Sequence, residues 1–380
     1  MASKIADLKE ENGIMTFTIS NTNVSYINAI RRTILSDIPI VVFKTTPYEE
    51  NKTNIIFNTS RLHNEIIKQR LSCIPICISD LKDVSFKNYL LEIDVENKSD
   101  TIIIVTTKDF NIRDLTTDAF LDDAEVKKIF PPFLSPNGKE YYIDFIRLRS
   151  KISDEIPGEK IKLTSEFSVS TARDDSMFNI TGTCSYGCTP DSTKIEEQLQ
   201  IRKQKWKDEG KTETEIKFEQ SNWLLLEGLR YVKSNSFDFI IQSVGIYENE
   251  QIIIKACDIL HSKFAELERI ISQGEIEITS SDTTMENCYD VTLTNEDYTI
   301  GNILNYELYQ VFYNESQFLE YVGFKKMHPH DSDSILRLCL KDKTKDISSI
   351  KTMLIAVINQ SVKKLQEIKG CFDGTREFDK

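Results

Sequence analysis

The chain has 380 residues, of which 40% are hydrophobic and 28% charged, and its formal net charge is -13. This length and hydrophobic content allow two or three domains with substantial cores. The negative charge argues against a surface built mainly to neutralise phosphates, so the expected partner is protein, with no direct sequence-specific contact to nucleic acid. The N-terminus lacks the apolar core of a signal peptide, and no stretch approaches the ~18 consecutive apolar residues of a membrane span, which predicts a soluble intracellular protein.

The first predicted elements are a strand at Gly13 to Ser20 and a helix at Val24 to Leu35. Four apolar residues of that helix recur at helical spacing and form one stripe: Val24, Ile27, Ile30 and Ile34. Asn23 offers a side-chain oxygen to cap the first turn, and Pro39 ends the helix because the residue before a proline avoids helical angles. The β-branched run Ile40 to Phe43 then predicts a second strand.

The stretch after this strand changes in character. Tyr48 to Ile55 is polar and predicts a loop, and Thr59 with Ser60 is expected to cap the helix that follows. From Ser72 to Thr189 strand signals dominate, broken by Asp, Asn, Pro and Gly, which predicts a mostly β domain. Its strand-like segments are CIPICI, YLLEIDV, TIIIVTT, KEYYIDFIRL, KIKLTSEFSVS and MFNITGT.

A charged segment, Lys194 to Val232, follows and is unlike the strands before it. Its first part predicts a solvated helix, and a binding face is the alternative. Its end, around Trp223 to Leu229, predicts an apolar helix. Beyond it, Phe237 to Ile246 predicts a strand and Glu248 to Ile271 a long helix with apolar residues at helical spacing.

The pattern of the first elements recurs downstream, in the stretch that begins at Cys288. A strand, a polar turn and a helix return in the same order, and alignment of the two stretches places Asn28 on Asn302. A strand at Ile335 to Leu340 and a long helix at Ile347 to Ile368 again close the unit. We interpret the repeat as an internal duplication, with the middle of the chain inserted into the first copy.

A small open sheet and a long amphipathic helix cannot bury their faces alone, so the two copies are expected to pair. The predicted fold class is α+β, an intramolecular pseudo-dimer of two dimerisation units, the first split by the mostly β insert. The first unit is residues 1–45 plus 233–273, the insert 46–232 with its charged helical segment 194–232, the second unit 274–370 and the tail 371–380. The side chains expected at the pseudo-dimer interface are Ile27, Ile30, Ile34, Phe264, Leu267, Ile300, Ile303, Leu304, Leu308, Leu354 and Ile358.

Two motifs in the first half resemble the RNA polymerase alpha family, which comprises the bacterial alpha subunit, the archaeal D subunit and the eukaryotic third-largest subunit. Residues 28–35, NAIRRTIL, are similar to its N-A-L-R-R signature, and residues 58–75 to its N-T-S-x-L-H-x-E…R-L-x-x-I-P segment. Residues 296–308, EDYTIGNILNYEL, resemble the small partner subunit, archaeal L or the eukaryotic eleventh subunit. Tyr298 stands where that partner usually has histidine.

The resemblance implies a non-catalytic assembly subunit of a multisubunit DNA-directed RNA polymerase, with two normally separate subunits fused as in some large DNA viruses. The implied partners are the largest and second-largest subunits, which assemble on this platform, and small polymerase subunits. The residues implied to contact the second-largest subunit are Asn28, Arg31, Arg32, His63, Glu65 and Arg70. A viral source would place the protein in the host cytoplasm and the virion. A free-standing protein-binding adaptor that kept the fold is the alternative.

Two cysteine pairs, Cys73-x3-Cys77 and Cys184-x3-Cys188, have a spacing that a zinc site could use. The alternative is that Cys73 and Cys77 share one face of an apolar strand and pack as small hydrophobes. The cysteine-rich zinc loop of eukaryotic relatives has no counterpart between Ser79 and Val95. We therefore predict no bound metal and no cofactor.

The remaining candidate for metal chemistry is the tripeptide His328-Pro329-His330, for which a plain loop before a strand is the alternative. The chain has four histidines and contains no HExxH, P-loop, GxGxxG or nucleophile-elbow pattern. No catalytic residue is predicted.

Overall fold

The computed structural model describes residues 3–82, 84–153, 155–281, 286–342 and 346–374. These residues form an α+β fold of helices and several small sheets, as predicted. None of the helices among them has the length and apolar character to span a membrane. The chain divides into two compact units: unit 1, with residues up to Ile34, Thr183–Gln242 and from Asn249 onward, and unit 2, with Leu35–Gly182 and Ser243–Glu248.

The described ranges contain eight α-helices and nineteen strands. The helices are α1 (Val24–Ser36), α2 (Asn64–Ser72), α3 (Asp123–Ile129), α4 (Ser192–Asp208), α5 (Glu213–Leu225), α6 (Asn249–Gln273), α7 (Tyr298–Leu308) and α8 (Ile347–Lys369). The strands are β1 (Lys4–Glu11), β2 (Ile14–Ser20), β3 (Ile40–Val42), β4 (Thr53–Asn58), β5 (Tyr89–Glu96), β6 (Ile103–Thr106), β7 (Asn111–Asp114), β8 (Ala119–Phe120), β9 (Phe133–Leu134), β10 (Glu140–Tyr141), β11 (Asp144–Leu148), β12 (Lys160–Glu166), β13 (Ser168–Ser170), β14 (Thr181–Pro190), β15 (Val232–Ser243), β16 (Ile278–Ser280), β17 (Cys288–Leu293), β18 (Leu319–Lys325) and β19 (Ser334–Leu340).

Unit 1 holds two four-stranded sheets, ordered β1-β2-β15-β14 and β16-β17-β19-β18. The long helices α6 and α8 pack along each other, and α7 packs against α8. Each long helix buries one apolar stripe because its large side chains recur at helical spacing. The buried stripes include Ile252, Leu260, Phe264 and Leu267 on α6 and Ile350, Leu354, Ile358 and Leu365 on α8. Every side chain predicted for the pseudo-dimer interface is buried.

The helix ends of unit 1 follow from single residues. Gly274 ends α6 with a φ of +77°, a left-handed conformation that glycine adopts without a Cβ penalty, and its N–H donates to the carbonyl of Ile271 at 3.1 Å. Asp297 and Asp346 precede α7 and α8, and their carboxylates accept hydrogen bonds from backbone N–H groups of the first turn. The cap at Asp346 explains why α8 begins at Ile347, as the sequence predicts.

Unit 2 is built on a five-stranded sheet ordered β4-β12-β5-β7-β8, with two-stranded sheets of β6 and β11 and of β3 and β13 in the same unit. Alternate residues of β5 and β12 point into the core, as half-buried strands require: Leu91, Ile93, Ile161 and Leu163. Aromatic rings complete this core, where Phe110 meets Phe130 and Phe145 edge to face at centroid distances of 5.3 and 5.6 Å.

The prediction for α1 is confirmed in its bounds and needs one correction. Three members of its predicted stripe are buried, but Val24, the first residue of the helix, is 43% exposed. Tyr26 is fully buried and takes the inward position instead. Asn23 caps the helix as expected, since its side-chain oxygen accepts the N–H of Ser25 at 2.9 Å.

The loop predicted for Tyr48 to Ile55 is wrong at its end. Thr53–Asn58 form strand β4, which pairs with β12. The hydroxyls of Thr53 and Ser165 bond at 2.7 Å across these strands. A polar segment can therefore be a strand when its neighbour supplies both the backbone partners and the side-chain hydrogen bonds.

The predicted cap of α2 is also wrong. The backbone N–H of Thr59 donates to the carbonyl of Lys160 at 3.0 Å, so Thr59 is tied to the strand beside it and not to the helix. The cap is His63, whose ring Nδ1 accepts the N–H of Glu65 at 3.4 Å, and the helix begins one residue later. Sequence preferences rank Ser and Thr above His as caps, and tertiary pairing overrides that ranking here.

The apolar helix predicted around Trp223 to Leu229 is wrong, because α5 starts at Glu213 and ends at Leu225. Trp223 is buried against Leu199 and Trp206 of α4 and anchors this helical hairpin.

The strand predicted to reach Ile246 ends at Ser243, ahead of a turn at a glycine with a φ of +100°.

Candidate protein-protein interface

The arginine pair of α1 is the centre of the sequence-predicted site, and its two members differ in their contacts. Arg31 donates from Nε and Nη2 to the side-chain oxygen of Asn28, at 3.1 and 2.9 Å. This bond spans one helical turn and holds the guanidinium against the surface of α1. No other side-chain hydrogen bond or ion pair joins Arg31 to the described residues, so its remaining N–H donors can serve a partner.

Arg32 instead binds the start of α7. Its Nε donates to the hydroxyl of Thr299 at 2.9 Å, and its Nη2 pairs with a carboxylate oxygen of Asp297 at 2.6 Å. Asp297 is also the cap of α7, because its other oxygen accepts the N–H of Thr299 at 2.8 Å. A single carboxylate thus starts α7 and ties it to α1.

The ionisation of Asp297 reflects these contacts. Burial alone would raise the pKa of Asp297, but hydrogen bonds from the hydroxyl and N–H of Thr299 and the charge of Arg32 outweigh it and lower that pKa to about 2. Such a carboxyl stabilises the fold above its unfolded pKa of about 3.9, and the contribution is lost as the pH falls toward the folded value.

We expect Asp297→Asn to lower the free energy of unfolding by about 1–2 kcal/mol near neutral pH. Asparagine still caps a helix, so the loss reports the charge interaction, which we discount because the Arg32 side chain is 35% exposed. The variant should also lose part of the stability decline that the wild type shows between about pH 4 and 2. Urea unfolding across this pH range measures both effects.

The matched control for this prediction is Asp346→Asn. Asp346 caps α8 through the N–H groups of Ser348 and Ser349, at 3.1 and 3.3 Å, and has no arginine bonded to it in the described residues. Its replacement should change stability by less than about 0.5 kcal/mol. Equal losses in the two variants would show that capping, and not the pair with Arg32, accounts for the effect.

A second polar cluster lies deeper between α1, α7 and α8. Glu307 is fully buried, and its Oε1 accepts the Tyr26 hydroxyl at 2.7 Å and the Lys364 ammonium at 2.6 Å. The hydroxyl of Ser361 lies 3.3 Å from that of Tyr26. Burial and the neighbouring Glu307 carboxylate raise the pKa of Tyr26, so it stays a protonated donor. The second oxygen of Glu307 has no hydrogen-bond partner among the described residues, which leaves this carboxylate dependent on two donors.

The sequence-predicted residues of α2 lie in unit 2 and have different environments. The side chains of His63 and Glu65 are 73% and 87% exposed. Arg70 donates from Nε and Nη2 to the backbone carbonyls of Phe145 and Asp144, at 2.7 and 2.9 Å. Arg70 therefore fastens α2 to β11, while His63 and Glu65 are open to a partner.

A family model described as the RNA polymerase Rpb3/Rpb11 dimerisation domain matches residues 16–264. The chain belongs to this family. It is 27% identical over 132 residues to the DNA-directed RNA polymerase subunit Rpo3 of Pyrococcus horikoshii, an alignment that covers 34% of this chain and only 44% of that subunit. It is 20% identical over 304 residues to the DNA-directed RNA polymerase II subunit rpb3 of Dictyostelium discoideum, covering 70% of this chain and 94% of that subunit.

The match to the Rpb3/Rpb11 family extends from β2 to the middle of α6. It includes α1 with its arginine pair and α2 with His63, Glu65 and Arg70. Helices α7 and α8 lie beyond it. The family relationship therefore rests on residues 16–264, and α7 and α8 are described from the structure alone.

The cysteine pairs of this family member require a correction. Cys73 and Cys77 do not lie on a strand: Cys73 directly follows α2 and is exposed, and the half-buried Cys77 donates to the carbonyl of Gly245 at 3.7 Å. Cys184 is buried in β14 and Cys188 is exposed. Burial raises the pKa of the Cys184 thiol to about 12, which disfavours the thiolate that binds zinc.

No three His, Cys, Asp or Glu side chains gather as a possible metal site within the described ranges. His328 and His330 are exposed, and Nδ1 of His328 accepts the N–H of His330 at 3.2 Å, a bond that shapes the loop. The absence of a bound metal stays a prediction.

Sequence reasoning missed the residues that join α1, α7 and α8: Tyr26, Asp297, Thr299, Glu307 and Lys364. Two signals were available. Asp297 precedes a predicted helix, where an acidic cap is common. Glu307 is an ionisable residue inside the apolar run of α7, and such residues are buried only when they are paired.

Proposed function

We propose that this protein is a non-catalytic assembly subunit of a multisubunit DNA-directed RNA polymerase, a platform on which the two largest subunits come together. The observation that carries the proposal is the match to the Rpb3/Rpb11 dimerisation family over residues 16–264. The similarity to two polymerase subunits, one archaeal and one eukaryotic, supports the same function. Small polymerase subunits would be further partners.

We further infer that the second repeat acts as the partner subunit within the same chain. Residues 274–370 supply a second four-stranded sheet, a short helix and a long helix, and α8 of this part packs on α6 of the first. The ion pair of Arg32 with Asp297 joins the same two parts. In this arrangement residues 1–45 plus 233–273 form the first dimerisation unit, and residues 46–232 are inserted into it. The chain would then be a pseudo-dimer that needs no second copy.

The proposed contact with the second-largest subunit centres on Arg31, with Asn28 as its positioning residue. Arg31 keeps unpaired N–H donors in a planar fork that suits a carboxylate. His63 and Glu65 are proposed as further contacts, and Arg70 would act indirectly because it fastens α2 to β11. Arg32 would act indirectly, since its guanidinium holds the cap of α7.

The test is Arg31→Glu in a tagged full-length chain expressed in its source. The melting temperature should change by less than a few degrees, because the side chain bonds only within its own helical turn. Recovery of the second-largest polymerase subunit should fall at least tenfold, since reversing a charge at an interface costs about 2 kcal/mol or more. Arg32 is left intact because a glutamate there would face Asp297 and disturb the fold.

The matched control is Arg202→Glu, a reversal on the exposed face of α4. It should leave recovery of the large subunits unchanged. Normal recovery with the Arg31 variant would remove this residue from the interface. Absence of all large polymerase subunits from the wild-type preparation would reject the assembly function and favour an adaptor that kept the fold.

A further inference from the structure

A surface groove of unit 2 carries four arginines: Arg61, Arg70, Arg147 and Arg149. Its volume is about 670 Å³, within the range of protein ligand sites. Two carboxylates, Asp144 and Glu159, also line it, so the groove has an excess of positive charge on a chain whose net charge is -13. A positively charged groove on a negatively charged chain favours a negatively charged ligand.

The four arginines have two different roles. Arg70 is bonded to backbone carbonyls of β11, and Arg149 pairs through Nε with Glu159 at 2.5 Å. Arg61 and Arg147 are exposed, and neither makes an ion pair or a side-chain hydrogen bond with any residue of the described ranges. Two guanidinium groups are therefore directed at the groove without a partner of their own.

Apolar side chains lie beside these charges. Ile102 and Ile104 are 62% and 42% exposed, and both line the groove. Ile104 of β6 is the cross-strand neighbour of Arg147 of β11, so the two side chains share one face of this sheet. The sheet has two strands, and each therefore has an edge that no further strand covers within the described residues. An extended segment could add its side chains to this face.

We propose that the groove binds an extended, acidic segment of a partner protein, with carboxylates paired to Arg61 and Arg147 and apolar side chains covering Ile102 and Ile104. The exposed side chains of Ile102 and Ile104, which form the apolar floor of the groove, favour a peptide over a nucleic acid. Grooves for single-stranded nucleic acid stack bases on exposed aromatic rings, whereas the ring in this lining, Phe145, is 1% exposed. The inference does not depend on membership of a polymerase, because it concerns chemistry that the purified chain carries by itself.

The experiment uses the purified full-length chain and three fluorescent probes in low salt. The first is a decapeptide that alternates aspartate with valine, the second has asparagine in place of each aspartate, and the third is a single-stranded oligothymidylate of the same net charge as the first. Fluorescence anisotropy measures binding. We expect the acidic peptide to bind at least tenfold more tightly than the other two probes.

Two double variants locate the site. Arg61→Glu with Arg147→Glu should weaken binding of the acidic peptide at least tenfold, since each change replaces attraction by repulsion. Arg202→Glu with Lys205→Glu, on exposed positions of α4, alters the net charge equally and should weaken binding less than twofold. Circular dichroism checks folding, and Arg61→Gln with Arg147→Gln replaces the groove variant if the reversal lowers its melting temperature.

The binding results distinguish an acidic peptide from a nucleic acid as the ligand of the groove. No difference between the acidic and the asparagine peptide, or an equal loss in both double variants, would overturn the proposal. Oligothymidylate binding that the groove variant abolishes, without binding of the acidic peptide, would assign the groove to nucleic acid instead. Weaker binding of the acidic peptide to an Ile104→Asn variant would support a contribution from the apolar floor.

Discussion

Lys364→Met should lower the free energy of unfolding by about 3 kcal/mol, because it leaves the Glu307 carboxylate buried without its counterion. Glu307 is fully buried, and the Lys364 ammonium bonds its Oε1 at 2.6 Å. The value lies at the lower end for a broken buried pair because the Lys364 side chain is 35% exposed. Chemical unfolding followed by circular dichroism measures the change.

The control is Lys363→Met, the same substitution one position earlier on an exposed residue of α8. It should cost less than about 0.5 kcal/mol. Adding Glu307→Gln to the Lys364 variant should recover part of the loss, since the buried charge is then removed together with its partner. Equal stability of the two methionine variants would show that Lys364 is not what compensates Glu307.

Cleavage of the chain between α6 and β16 should leave a single particle of unchanged mass. The reason is the packing of α6 on α8, where Leu260, Phe264, Leu354 and Ile358 are completely buried. At ~1.5–3 kcal/mol for each such side chain, separation would cost on the order of 10 kcal/mol. The intact chain should be a monomer for the same reason, because its apolar stripes are already covered.

The protease site belongs after Glu275, since its N–H donates to the carbonyl of Ile270 at 3.0 Å and completes the end of α6. Size exclusion with light scattering before and after cleavage gives the mass. Expressed separately, residues 1–275 and 276–380 should aggregate, and co-expression should restore a soluble pair.

Leu354→Asp tests whether the buried stripe holds the cut halves together, because it places a charge in the α6–α8 contact. The cut variant should separate, whereas Lys363→Asp, at an exposed position of the same helix, should not. A stable dimer before cleavage, or two well-behaved halves afterwards, would reject the pseudo-dimer.

Local patterns were sufficient to place the long elements. The bounds of α1, α6 and α8 agree with the sequence within one or two residues, because apolar periodicity and the cap at Asn23 are local properties. The wrong predictions occur where a residue distant in sequence determines the secondary structure. Thr53–Asn58 form a strand because β12 lies beside them.

For the candidate site as well, local sequence predicts some features and distant contacts determine the others. The motif of α1 identified the arginine pair, and the family match places that motif within the Rpb3/Rpb11 dimerisation domain. Sequence could not separate the roles of the two arginines, because adjacent residues of a helix point in different directions and only the fold supplies their neighbours. Arg31 bonds within its own turn, whereas Arg32 meets Asp297, far along the chain.

The sequence by itself therefore determined the class of fold, the long helices and the motifs of the family, all of which follow from short-range periodicity and spacing. Only the tertiary structure decided which polar groups become buried and with whom they pair. The apolar run of α7 signals that Glu307 is buried, but only the fold shows that Tyr26 and Lys364 are its partners. The groove of Arg61 and Arg147 likewise exists only after α2 and β11 meet, because the partners of a charge are set by folding and not by its neighbours in sequence.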